Sequence, residues 1–160
     1  MSCDHESIEA DLRTLTITLV DTLINTRDLE SPFVAARLAP RMHTVGPQNG
    51  HTCRSRTELL KNIRATVQTN PGYRLDLSDD GVYVEIDRVR GWGTVWLVAA
   101  VRGFLPGEEK GQLGREWVAK LDWRWRGSLG HGSVGAEECG QWVCIRLAGM
   151  TGSSGLLRGL

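Results

Sequence analysis

The sequence has no excess of charge of either sign. Its 160 residues include 19 lysine and arginine residues and 19 aspartate and glutamate residues. A protein that gathers phosphate groups relies on a long-range positive field, and this balance removes such a field. We therefore do not expect a nucleic-acid partner.

Long apolar runs are also missing. No stretch approaches the roughly 20 apolar residues that cross a bilayer as a helix. The first residues, Met1-Ser-Cys-Asp-His-Glu, are acidic rather than basic, so neither a signal peptide nor an Arg-rich transit peptide is visible. We expect no membrane association and a cytoplasmic location.

The length fits one ordinary domain. No internal repeat is visible. We predict a single domain over residues 1–150, followed by a flexible tail over residues 151–160, whose composition does not specify a packed element.

Cysteine is scarce and scattered. Cys3, Cys53, Cys139 and Cys144 form no C-x-x-C pair, so the sequence indicates buried free thiols rather than a zinc site or a disulfide framework. The four histidines are never spaced to place two imidazoles on one metal ion. We expect neither a metal nor a cofactor.

The commonest catalytic signatures are absent. The sequence has no Walker A motif, no H-E-x-x-H and no G-x-S-x-G. Residues 130–135 are a literal G-x-G-x-x-G, but the short segment before Gly140 leaves no room for the helix that a dinucleotide site requires. A hairpin loop is the better interpretation.

The first half of the chain has helical periodicity. Apolar residues at steps of three and four predict a helix over residues 8–24, with Asp4 as its N-cap. Ser31-Pro32 opens a short helix that Pro40 ends, and residues 41–45 then continue as a short strand. The capping box Ser55-Arg56-Thr57-Glu58 predicts a third helix that runs to about Thr69.

From Tyr73 onward the apolar residues recur in twos, which is the period of a strand. Strands are predicted around residues 73–77, 82–86, 94–101, 117–126 and 141–148, with a turn at Gly91-Trp92-Gly93. Helices first and strands second indicate the α+β class. We predict three N-terminal helical segments packed against a strongly curved antiparallel sheet.

Six tryptophans are many for this length, and five lie on or beside two strands that we predict to be neighbours. They are Trp92, Trp96, Trp117, Trp123 and Trp125. An aromatic wall of this kind suits a pocket for a flat apolar ligand. A large core, or a sheet face used for dimerisation, explains the same residues equally well.

Three side chains are candidates for acid and base chemistry. His43 lies in the predicted first strand, and His51 follows in the next loop; imidazole titrates near neutral pH. Asp122 lies among aromatic neighbours, where burial would raise the pKa of a carboxyl group. The alternative for His43 and His51 is a histidine that is exposed or hydrogen-bonded and has no catalytic role. The alternative for Asp122 is a solvated ion pair with Lys120 or Arg124. The face of the sheet on which Asp122 lies decides between them.

The order of elements resembles a known superfamily. The matching segments are Asn25-Thr-Arg-Asp28-Leu29, Leu38-Ala39-Pro40, Ser55-Arg-Thr-Glu58-Leu-Leu60, Thr94-Val-Trp-Leu97 and Gly140-Gln-Trp-Val-Cys144. Over about residues 7–150 the chain resembles the nuclear transport factor 2-like (NTF2-like) superfamily in its SnoaL-like branch. The resemblance implies a cone, an α+β barrel whose sheet wraps a long helix around a hydrophobic cavity, commonly in a homodimer.

The resemblance covers several activities: isomerases, dehydratases, polyketide cyclases and binding modules without catalysis. Steroid-isomerase members use a tyrosine on the first helix and an aspartate after the first strand, and the matching positions here are Val20 and Gly46. The histidine and aspartate of cyclase and dehydratase relatives would be supplied by His43 and Asp122.

Two hypotheses follow. In the first, the chain is a cofactor-independent tailoring enzyme that cyclises, isomerises or dehydrates an apolar, polycyclic molecule by proton transfer. Its catalytic residues would be His43 and Asp122, and its substrate-binding residues Trp96, Trp117, Leu121 and Trp123. In the second, the chain is a small-molecule-binding or dimerisation module. Exposed strand acids and packed tryptophans would favour the second hypothesis, and a polar group at the bottom of a cavity would favour the first.

Overall fold

A computed structural model describes residues 5–45, 53–102, 116–127 and 140–151 of the chain. Its helical segments are α1 (His5–Val20), a π-helical extension of α1 (Asp21–Thr26), α2 (Pro32–Arg37) and α3 (Arg56–Thr69). The three predicted N-terminal helical segments are confirmed, whereas the predicted cap Asp4 lies outside the described residues. No helix in the described ranges is long and apolar enough to cross a membrane.

Six strands form one sheet in the described part of the chain. They are β1 (Leu38–Val45), β2 (Arg74–Asp76), β3 (Val82–Asp87), β4 (Trp92–Arg102), β5 (Glu116–Arg126) and β6 (Gln141–Thr151). Their order is β1-β6-β5-β4-β2, and β3 also pairs with β4. The predicted α+β architecture is confirmed.

The sheet is mixed rather than wholly antiparallel, which corrects the prediction. The β4–β5 and β5–β6 pairs are antiparallel, but β1 runs parallel to β6. These are the first and last strands along the chain, so no hairpin between them imposes the antiparallel direction. Thr151, which we placed in the flexible tail, is the last residue of β6, and residues 152–160 lie outside the described ranges.

The first strand begins earlier than predicted. Helix α2 ends at Arg37 and β1 begins at Leu38, so Pro40 lies inside a strand. Proline has no N–H to donate to a ladder, and strands accept it at the edge of a sheet. Strand β1 is such an edge strand. Pro40 therefore ends no helix here.

Helix caps follow the sequence closely. The Ser31 hydroxyl accepts a hydrogen bond from the Phe33 N–H, and the Ser55 hydroxyl accepts one from the Glu58 N–H at 3.2 Å. The Glu58 carboxylate accepts from the Arg54 N–H at 2.8 Å, not from the N–H of the capping serine. The predicted helix start at Ser55 is confirmed. The second bond of the capping box, to the Glu58 carboxylate, comes from the N–H one residue before the capping serine.

Helix α1 lies across one face of the sheet, which we call the inner face. The buried stripe of α1 and its extension includes Leu12, Thr16, Leu19, Val20 and Leu23. The buried inner-face residues of β4 and β5 are Val95, Leu97, Ala99, Ala119, Leu121 and Trp123. The residues that alternate with these point to the opposite face, which we call the outer face.

Candidate functional site

The predicted substrate-binding residues are divided between the two faces of the sheet. Leu121 and Trp123 are fully buried in the core, and Trp117 lies half-buried on the same inner face. Trp96 lies on the outer face with 39% of its surface exposed. One pocket cannot contain all four side chains. Their role in substrate binding stays a prediction.

His43 and Asp122 both lie on the outer face. Arg146 on β6 is the register partner of His43 on β1 and of Asp122 on β5, so the three residues form one row across the sheet. Two interstrand spacings place the backbones of His43 and Asp122 roughly 10 Å apart. Their pairing as acid and base therefore stays a prediction, with Arg146 between them.

Asp122 forms an ion pair on the outer face, and only 14% of its side-chain surface is exposed. Its carboxylate accepts a hydrogen bond from the Thr94 hydroxyl at 3.1 Å and lies 3.8 Å from the Lys120 ammonium. Lys120 also lies over the Trp96 ring, 5.4 Å from its centroid. The structure thus shows for Asp122 the ion pair that was the alternative to a buried acid.

The inner face has little polar chemistry in the described residues. The buried polar side chains of the whole described chain are Thr16, Thr44 and Asn70, and no described carboxylate or histidine is buried. The Thr16 hydroxyl and the Trp123 indole N–H are buried without a partner among the described residues. Within the same ranges, no three metal-ligating side chains lie close together. The described interior is a packed core without an acid or a base.

An open cleft lies at one end of the sheet, and we call it the end cleft. It has a volume of about 450 Å³. Its walls come from the N-terminal half of α1, the turn between β3 and β4, the end of β5 and the start of β6. The apolar lining residues are Ile8, Ile86, Val89, Trp125 and Trp142, and the charged ones are Asp11, Arg88, Arg90 and Arg124.

Two tryptophans form the aromatic wall of the end cleft. The rings of Trp125 and Trp142 meet edge to face, with centroids 5.4 Å apart and planes at 69°. The Trp125 ring lies against the backbone of Gly140, where a Cβ atom would collide with it. The backbone N–H of Trp125 donates to the Gly91 carbonyl at 2.8 Å, which fixes the β3–β4 turn beside β5.

A second hollow of about 370 Å³ adjoins the end cleft and shares Asp11, Trp125 and Trp142 with it. Arg37 lines this hollow and donates to the Trp142 carbonyl at 3.1 Å. The buried Nε of Arg37 has no partner among the described residues. Arg37 therefore holds the start of β6 against α2 and keeps one N–H donor uncommitted.

Sequence reasoning missed this site. Trp125 was part of the predicted aromatic wall but was not among the predicted substrate-binding residues. Trp142 was noted only as part of a segment that resembles the superfamily. The signal was the Trp-Arg-Trp-Arg stretch at residues 123–126, whose second tryptophan lies where β5 leaves the packed core. His51, Gly46 and the glycine-rich residues 130–135 lie outside the described residues.

Solved structures share this architecture. An NTF2-like protein of unknown function from Pseudomonas putida superposes with a TM-score of 0.63 at 14% identity, over 90% of this chain and 86% of that chain. The chain has the NTF2-like fold.

Two further solved structures superpose on this chain, and each is described with a proposed activity. One from Agrobacterium tumefaciens, described as a proposed isomerase of the SnoaL-like family, has a TM-score of 0.50 at 14% identity over 88% of this chain and 96% of that chain. One from Sinorhizobium meliloti, described as a proposed polyketide cyclase, has a TM-score of 0.50 at 13% identity over 89% of this chain and 98% of that chain.

These identities are low, so the comparisons concern the fold and not the activity. The fold that the resemblance implied, that of the NTF2-like superfamily, is confirmed. No protein-family model matches the sequence, and no curated protein matches it significantly.

Proposed function

We propose that this chain binds a small, flat, apolar molecule in the end cleft. The observation that supports this most directly is the pair of tryptophan rings, Trp125 and Trp142, on the wall of an open cleft of about 450 Å³. Ligand sites are clefts of roughly 300–1,000 Å³ with mostly apolar and aromatic walls and a few polar groups. The end cleft fits that description, and the packed inner face does not.

Calorimetric titration with 2-naphthamide, a flat neutral probe, tests the proposal. Trp125→Leu removes the aromatic wall, and we expect it to weaken binding roughly tenfold, the equivalent of one lost aromatic contact. Trp96→Leu is the matched control, because Trp96 is a partly exposed tryptophan on the outer face and stacks with Lys120, which does not line the end cleft. Equal affinity for all three proteins, or no binding of any flat probe, would exclude the end cleft as the site.

A second proposal retains the predicted proton-transfer enzyme that acts on a polycyclic molecule. Its support is the shared row of His43, Arg146 and Asp122 on the outer face. Incubation with a mixture of polycyclic metabolites, followed by liquid chromatography and mass spectrometry, would show one component that loses water or is converted to an isomer. His43→Ala and Asp122→Asn should each abolish that conversion. Turnover that survives both changes would remove these residues from the mechanism.

We also propose that a second copy of the chain covers the outer face. Tyr83, Trp92, Trp96 and Val98 are between 39% and 64% exposed there, and they form an apolar band along β3 and β4 that Thr94 interrupts. Glu85 and Asp87 lie on the β3 side of this band, and Lys120 and Arg146 lie on the β5 and β6 side.

A two-fold axis through the band would place the acidic side of each copy against the basic side of the other. Light scattering should give twice the mass of the chain, and Trp96→Glu should give the monomer mass. Val89→Glu is the control, since Val89 is 95% exposed but lies in the β3–β4 turn. A monomeric parent chain, or a dimeric Trp96→Glu variant, would contradict the proposal. A dimer of this kind would also cover Asp122, so a substrate could not reach this residue on the outer face. Dimer formation would therefore argue against the enzyme proposal.

A further inference from the structure

One edge of the sheet is formed by β2 and β3, which both pair with the same side of β4. Part of this edge is covered by side chains. The Asn25 amide binds both backbone groups of Leu75 in β2. The Arg13 guanidinium donates to the carbonyl of Val82, the first residue of β3, at 2.8 Å. These contacts leave the rest of β3 as the part of this edge that another strand can reach.

The direction of the backbone groups along β3 follows from the bonds of Val82. Its N–H donates to the Asp79 carbonyl and its own carbonyl accepts from Arg13, so both groups point away from β4. Backbone groups alternate between the two sides of a strand from one residue to the next. Val84 and Ile86 therefore point their N–H and C=O groups out of the edge. Neither residue has a hydrogen bond to the described part of the chain outside the β3–β4 ladder.

The side chains of β3 differ between the two faces of the sheet. Val84 and Ile86 are only half-buried on the inner face, so apolar surface remains there for a neighbouring strand. Glu85 and Asp87 are exposed on the outer face. Within the described ranges Glu85 has no ion pair, and Asp87 contacts only Arg90 of the adjoining turn. An added strand therefore meets apolar surface on one face and negative charge on the other.

A second copy of β3 does not suit this edge. If two copies pair antiparallel through the open groups alone, Val84 lies opposite Ile86, or Ile86 lies opposite itself. The first register places Glu85 opposite Glu85, and the second places Glu85 opposite Asp87. Like charges directly opposite each other destabilise a strand pair. A register with Val84 opposite itself would place Ile86 against Val82, whose groups are already bound.

We propose that the β3 edge binds an extended segment of another protein by strand addition, and that basic residues alternate with β-branched apolar residues in this segment. Two of its apolar residues lie opposite Val84 and Ile86, exchange backbone hydrogen bonds with them and extend the inner face. Its basic residues lie opposite Glu85 and Asp87 on the outer face. In strand addition the backbone bonds give affinity, and the alternate side chains give specificity. Opposite charges across a strand pair stabilise it.

NMR titration of the full chain with three pentapeptides tests the proposal. The first peptide is acetyl-Lys-Val-Lys-Val-Lys-amide. The second has N-methyl groups on both valines, which removes the donors that face Val84 and Ile86. The third has glutamate in place of lysine. We expect the lysine peptide to shift the amide signals of Val84 and Ile86. At low salt it should bind roughly tenfold more tightly than either of the other two peptides.

Variants connect this binding to the β3 edge. Val84→Pro removes an N–H that points out of the edge, and strands accept proline at such a position. It should abolish binding of the lysine peptide, while circular dichroism shows an unchanged fold. Glu85→Gln should reduce the preference for the lysine peptide over the glutamate peptide by about threefold. Glu116→Gln is the matched control, because Glu116 is an exposed acid on β5, which does not pair with β3.

The comparison of peptides keeps the proposal testable even if a variant fails to fold. Equal binding of the lysine peptide and its N-methylated form would exclude strand addition. Equal binding of the lysine and glutamate peptides would overturn the basic partner. Absence of binding by the lysine peptide, or shifts that spare Val84 and Ile86, would overturn the β3 edge as the site.

Discussion

Arg27 shows how one residue of the resemblance segments stabilises the fold. Its backbone is left-handed, with φ of 63° at the end of the π-helical extension of α1. Its guanidinium donates to the carbonyls of Val67, Pro71 and Tyr73, at distances of 2.8 to 3.2 Å. It therefore joins the end of the first helix to the end of α3 and the start of β2, and the unfavourable backbone is offset by these bonds.

We predict that Arg27→Lys lowers the free energy of unfolding by about 2 kcal/mol, because an ammonium cannot reach several carbonyls from one planar fork. Chemical denaturation measures the change. Arg64→Lys, at a partly exposed arginine with one ion pair, should change stability by less than about 0.5 kcal/mol. Equal losses in the two variants would show that the Arg27 contacts do not stabilise the fold.

Cys144 is a buried thiol beneath the row that contains Asp122. Burial raises the pKa of Cys144 from its ordinary value of 9.0 to about 12, and the nearby Asp122 carboxylate acts in the same direction. The folded state therefore holds the neutral thiol more firmly than the unfolded state does. The resulting stabilisation is complete below about pH 9 and is lost as the pH rises toward about 12.

We predict that Cys144 does not react with a thiol reagent at pH 8 in the folded chain and reacts readily in guanidinium, since the thiolate is the reactive form. The measurement uses Cys3→Ser and Cys139→Ser, which leave two buried thiols, Cys53 and Cys144. Addition of Cys144→Ala assigns the signal. Fast labelling of Cys144 under native conditions would contradict its burial.

At the scale of elements, the β3–β4 turn ends earlier than the sequence predicted, and a contact between α1 and β4 accounts for the glycine that follows it. The sequence predicted a turn over Gly91-Trp92-Gly93, but the turn ends at Gly91 and β4 begins at Trp92. Gly91 has the positive φ, at 64°. Gly93 is glycine for another reason: a Cβ atom there would lie 2.5 Å from Leu12 Cδ1 of α1.

We predict that Gly93→Ala destabilises the chain by about 1–3 kcal/mol, the usual cost of overpacking a core. Gly72→Ala is the matched control, because a Cβ atom at Gly72 would meet nothing within 4 Å. Thermal and denaturant unfolding measure both changes. If Gly93→Ala were as stable as Gly72→Ala, α1 would not lie as close to β4 as the structure shows.

Local chemistry made most elements predictable, and tertiary contacts explain the exceptions. The caps Ser31 and Ser55 and the two-residue period of the strands depend only on neighbouring residues. The sequence alone therefore predicts α2, α3 and the strands. Asn25 does not: its amide donates to the Leu75 carbonyl and accepts from the Leu75 N–H, 50 residues away. Only the folded chain shows that this asparagine pairs with β2 like a neighbouring strand.

At the scale of the whole molecule, the candidate site was the least predictable feature. Strand β4 is apolar on both faces, so the alternation that separates inside from outside is lost there. His43 and Asp122 could not be assigned to a face for that reason, and the structure places both on the outer face. The end cleft combines residues from α1, the β3–β4 turn, β5 and β6, which no sequence spacing brings together.

The central claim is that the ligand lies against Trp125 in the end cleft. The most direct test is two-dimensional NMR of the indole N–H signals during titration with 2-naphthamide, with each signal assigned by a Trp→Phe variant. We predict that the signals of Trp125 and Trp142 shift and that those of Trp92 and Trp96 do not. Shifts of Trp92 and Trp96 alone would place the ligand on the outer face and contradict the claim.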